Sequence, residues 1–146
     1  MTLQLIGLII GGVLPALFYG ISSVFAKSSA NLGMSVGGHL VFIGLAISMT
    51  GVLFNFFLPG NVPSLAAVGS SAMQGVFWGL GTGCVVLGIL KYQAPLAKLV
   101  PLYNMNTLIT VGLALAIFAE WREVNPFQLL AGAGLIIFGG ILVSGA

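Results

Sequence analysis

Charge is the commodity this sequence has least of. Four basic and two acidic residues make up 4% of 146 positions, against 59% hydrophobic residues and a mean hydropathy of +1.19. A water-soluble domain carries about a quarter of its residues as charges, so these few cannot coat a surface facing water. The chemistry-bearing side chains are equally sparse. One histidine (His39), one cysteine (Cys84) and two carboxylates (Glu120, Glu123) provide no metal cluster, no disulfide framework and no paired nucleophile and base. An enzyme is therefore not expected, nor any cofactor. Four basic residues are too few for a nucleic-acid footprint, and no phosphate-binding loop with its lysine is present.

What the chain has is apolar length. A helix needs about 20 apolar residues to cross the hydrocarbon core, and the sequence holds five such stretches, at about 3–26, 36–58, 64–90, 95–119 and 126–143. They are separated by Lys27–Gly33, by the breaker cluster Pro59-Gly60-Asn61-Val62-Pro63, by Lys91-Tyr92-Gln93, and by Glu120-Trp121-Arg122-Glu123. Pro126 falls in the first turn of the fifth stretch, where a helix accepts it. The runs are continuously apolar and too long for barrel strands. The first lacks a basic leader and a cleavage site, so it reads as a retained helix. The expected fold is an all-α integral membrane protein of five transmembrane helices in one domain. Lys27, Lys91 and Lys98 share one side, and Arg122 lies on the other. The positive-inside rule then puts the N-terminus outside and the C-terminus in the cytoplasm.

Small and polar residues suggest where these helices pack and what they enclose. Gly75, Gly79 and Gly83 recur on one face of the third helix. Gly132 and Gly139 repeat every seven residues in the fifth, as do Ala133 and Gly140. Both patterns suit close backbone approach in lipid. Polar groups at membrane depth need partners or water. Tyr19 beside Pro15, the face Gln74-Trp78-Gly81-Thr82, and the group Tyr103, Asn104, Asn106 and Thr107 are the candidate cavity lining. Pro101 frees a carbonyl one turn before it and loosens the fourth helix beside those amides. The competing reading makes Asn104 and Asn106 packing groups bonded to neighbouring helices. His39 and Asn55 sit near opposite ends of the second helix and read as interfacial, with proton shuttling by His39 the lesser alternative. Cys84 reads as a packing residue. Glu120 and Arg122 read as an anchor where helix meets loop.

The order of short motifs carries a family likeness. Phe77-Trp78-Gly79-Leu80-Gly81, then Ala94-Pro95-Leu96-Ala97-Lys98-Leu99-Val100-Pro101-Leu102-Tyr103-Asn104, then Ala119-Glu120-Trp121 and the Gly-rich Gln128–Val143, resemble a five-helix EamA-type repeat. Phe18-Tyr19-Gly20 and Phe25-Ala26-Lys27 fit its opening helix. Such repeats belong to the drug/metabolite transporter superfamily, and the Trp-Gly-Leu-Gly and Ala-Pro-Leu steps are similar to its sugar-transporter-like branches. The resemblance implies one half of an inverted-repeat carrier for a small solute, completed by a homodimer partner or a second five-helix subunit. The N-out orientation is that of a second repeat. Helix one lacks the carboxylate that the four-helix multidrug members use for proton coupling. A non-transporting subunit that stabilises a complex is the alternative function.

Overall fold

The computed structural model describes residues 3–122 and 124–145, with the side chains of residues 3, 4, 120, 126 and 144 outside that description. All described regular structure is helical. Helix α1 comprises Leu3–Leu8, a wide π turn at Ile9–Val13 and Leu14–Asn31; α2 is Val36–Phe57 and α3 is Leu65–Tyr92. Helix α4 comes in two pieces, Leu96–Tyr103 and Asn106–Ile117, and α5 is Pro126–Gly145, preceded by a 3₁₀ turn at Glu120–Arg122. Four spans, Leu5–Asn31, Val36–Phe57, Leu65–Tyr92 and Leu96–Ile117, are long and apolar enough to cross a membrane; the apolar run Phe127–Val143 of α5 is shorter. These features mark a multi-pass membrane protein.

Local chemistry sets the helix ends, and in places it moves them from where hydropathy puts them. Hydropathy stops α1 near Ala26 and makes Lys27–Gly33 a polar loop, but the helix continues to Asn31. Lys, Ser and Asn are poor in hydropathy yet do not break a helix. Gly33 does, at φ +86°: its amide donates to Ala30 O and the Met34 amide to Ser29 O, at 3.0 and 3.1 Å. That pair of bonds is a Schellman closure, whose left-handed position favours glycine. Ser35 caps α2 by accepting from the Gly38 amide, and Ser64 caps α3 by accepting from the Ala67 amide, at 3.1 and 3.2 Å. α3 closes with Gln93 in the left-handed region. Asn125 Oδ1 accepts from the amides of Phe127 and Gln128 at the start of α5.

Contacts divide the chain into two units, Met1–Gln93 and Ala94–Ala146. In the first, α3 packs against both α1 and α2. The buried side chains there are Ala30, His39, Val86 and Ile89, which gather where α1 ends, α2 begins and α3 ends. In the second, the first half of α4 packs on α5, and the 3₁₀ turn packs on the second half of α4.

Candidate functional site

The interruption of α4 follows from its sequence. Pro101 has no amide to donate and crowds the turn before it. Downstream the backbone tightens: the Met105 amide donates to Leu102 O, Thr107 to Asn104 O and Leu108 to Met105 O, at 3.2, 3.1 and 3.0 Å. These are three-residue bonds replacing four-residue ones, a 3₁₀ step inside an apolar span. Asn104 and Met105 therefore lie between the two halves, at the ninth and tenth residues of a 22-residue span. Thr107 Oγ1 donates to Asn104 O at 2.9 Å. Asn104, Asn106 and Thr107 are exposed, and Tyr103 is half-buried. The fourth helix is thus two pieces where hydropathy gives one unbroken span, and the break falls on the polar group read from the sequence.

In the first unit the candidate lining is open. Tyr19, Gln74 and Trp78 are exposed and Thr82 is half-buried. Of the three glycines on α3, Gly83 meets a neighbouring helix: a Cβ there would touch Leu40 Cδ1 at 3.5 Å and Val36 Cγ1 at 3.8 Å. Gly75 and Gly79 have nothing within 4 Å among the described residues. In the second unit the α5 register in use is the alternate one. Gly140 is buried, and a Cβ on it would meet Met105 Sδ at 3.1 Å, whereas Gly132 and Gly139 meet nothing within 4 Å among the described residues. Arg122 lies over the Trp121 ring at 5.2 Å; its expected partner Glu120 has its side chain outside the described residues, as is Glu123 entirely. Cys84 is exposed, not packed.

The most confined polar residue is one that its sequence position makes look peripheral. His39, close to the start of α2, is 6% exposed. Its Nδ1 lies 3.1 Å from Ser29 Oγ, joining α2 to α1. Its Nε2 is buried with no hydrogen-bond partner among the described residues. An orphaned polar atom in such a place costs about 1–3 kcal/mol, so a fold that keeps it calls for a reason. His39 and Ser29 lie along an open groove between α1 and α2, about 800 Å³ in volume, whose walls include Phe25, Met34 and Phe42. Ser29 is one of three hydroxyls (with Ser28 and Ser35) around the only histidine, the signal from which this pairing is legible. No metal-binding cluster of His, Cys, Asp and Glu occurs among the described residues. No protein-family model, curated protein or solved structure matches this chain.

Proposed function

We propose that this protein is a membrane carrier for a small metabolite or drug-like solute, working by alternating access as a homodimer or with a second five-helix subunit. The observation that carries the reading is the break in α4. Backbone polar groups in lipid must be satisfied internally, and an interrupted helix persists at depth where it lines a cavity or is buried in protein. Carriers built from repeats place such interruptions at the solute site. Here the interruption presents Asn104, Asn106 and Thr107 together, beside Tyr103, near the middle of a span. Tyr19, Gln74, Trp78 and Thr82 form the corresponding polar faces of α1 and α3.

On this reading α5 crosses the membrane too, completing a five-helix half of an inverted-repeat architecture akin to the EamA-type repeat. Lys27, Lys91 and Lys98 mark the cytoplasmic side of the cell membrane, with the N-terminus outside. One repeat provides one wall, and the open Gly132/Gly139 face of α5 is where a partner joins. The protein moves its solute without covalent chemistry.

Reconstitution tests this. Liposomes holding the purified chain and a metabolite extract should lose specific solutes faster than empty liposomes, read by mass spectrometry of the retained pool. Asn104→Leu should slow that loss while leaving insertion intact. Identical retention with and without protein would refute the carrier; unchanged flux in Asn104→Leu would make Asn104 a packing residue.

A further inference from the structure

We propose that the open groove between α1 and α2 binds one anionic phospholipid, its acyl chain lying along the helices and its phosphate where α1 ends and α2 begins. The inference goes beyond the carrier reading and does not depend on it.

The groove is graded along its length. Near the α1–α2 turn its walls are polar, with Ser28, Ser29, Ser35 and His39. Further along both helices they are apolar, with Phe25, Phe42, Ile43 and Ala46. Ser22 is the one wall hydroxyl on that stretch, and a serine in a helix can bond a carbonyl of its own backbone. From Ser35 to Ala46 the helix rises about 16 Å, and one leaflet makes up half of a hydrocarbon core about 30 Å thick. A polar head above an apolar run one leaflet deep matches a membrane lipid. A water-soluble solute would leave the apolar run unmatched.

The polar end selects the sign of the headgroup. Ser35 Oγ and Ser35 O accept from the amides of Gly38 and His39. That leaves the Val36 and Gly37 amides, at the start of a 22-residue helix, for an acceptor from outside. The approach is open, since a Cβ on Gly37 would meet nothing within 4 Å among the described residues. Helix starts of this kind favour phosphate. His39 makes a separate demand. It is a wall residue only 6% exposed, and its Nε2 has no partner among the described residues. With Nδ1 accepting from the Ser29 hydroxyl, Nε2 carries the ring proton and calls for an oxygen, which a phosphate or a glycerol ester supplies. Lys27 stands between the wall residues Ala26 and Ser28, and residues 1–93 contain no carboxylate to neutralise it.

Photo-crosslinking tests this. The full chain is placed in phosphatidylcholine vesicles with a trace of phosphatidylglycerol carrying a mid-chain diazirine, and adducts are mapped by peptide mass spectrometry. Adducts should gather on Phe25, Phe42, Ile43 and Ala46, severalfold above those on Val76 and Leu80, exposed apolar residues of α3 outside the groove. Unlabelled phosphatidylglycerol should displace them at a severalfold lower mole fraction than added phosphatidylcholine. Lys27→Gln should narrow that preference by about fivefold, and Ala46→Trp should clear the groove of adducts while sparing Val76 and Leu80. Equal adducts inside and outside the groove would overturn the proposal, as would equal displacement by the two lipids. Displacement by soluble glycerol phosphate would overturn it too, reducing the polar end to a site for free anions, and so would cross-linked chains showing a second copy seated in the groove. If either variant fails to fold, the competition between lipids in the unaltered chain decides. Selective adducts without solute flux would sink the carrier and keep the lipid site. Flux with unselective adducts would do the reverse.

Discussion

The two ends of the α1–α3 unit differ more than their sequences would suggest. At one end Ala30, His39, Val86 and Ile89 are buried, Gly83 lets α3 approach α2, and Gly33 turns the chain in three hydrogen-bonded steps. At the other, every residue from 44 to 78 is exposed, Phe54, Phe56 and Phe57 among them. Both ends are rich in apolar and small residues. The packed end, though, has complementary features: a stop residue that fixes the turn, a glycine opposite branched side chains, and a hydroxyl opposite an imidazole. The uncovered end has apolar surface without counterparts. In lipid that surface costs nothing, because hydrocarbon is as good a neighbour as another helix.

Substitutions matched across the two ends should separate them. The largest difference is expected from filling space. Val86→Phe, at a position with 0% exposure, should destabilise by about 1–3 kcal/mol, while Val68→Phe, half exposed at the other end, should leave the unfolding midpoint in mixed detergent unchanged. Next comes the backbone. Gly33→Ala forces a Cβ into the left-handed region and should cost about 1–2 kcal/mol. Gly60→Ala, in the loop at the opposite end, should cost little, and equal losses would remove the distinction between the loops. Ser29→Ala removes the bond from His39 Nδ1 to α1 and should cost about 0.5–1.5 kcal/mol. Ser48→Ala, whose hydroxyl only donates back to Gly44 O, should be near neutral. The smallest effect on stability and the sharpest on assembly is Gly139→Leu. Nothing within the described chain opposes it, so folding should persist while the mass in mild detergent falls to that of a monomer. A monomer with full activity would contradict the partnered carrier.

Hydropathy locates the apolar helices to within a few residues because length and transfer free energy are additive along a chain. It fails where helices are governed by hydrogen bonds. Lys27, Ser28, Ser29 and Asn31 look like a loop on a hydropathy scale, yet the backbone stays helical until Gly33 supplies a conformation the others adopt reluctantly. Pro101 signals the loosening of α4, but the step at Asn104–Met105 depends on which carbonyls the following amides choose. The π turn at Ile9–Val13 has Gly11-Gly12 as its sole hint. The burial of His39 is not legible in the sequence for another reason. Position along a helix says how near a residue is to the membrane surface, while burial depends on which helices converge there, and the Ser29 partner comes from a different helix.

The carrier proposed above requires a water-filled path that enters from the uncovered end and stops at the packed one. Cysteine scanning along α3, in a Cys84→Ala background in bilayers, measures this directly with a membrane-impermeant maleimide applied from each side in turn. Positions 74, 78 and 81 should label from the side opposite Lys27 and Lys91, with 76, 80 and 87 silent against lipid and 86 and 89 silent in the packed end. Uniform silence from 74 to 81, or labelling of that face from the lysine side alone, would contradict it.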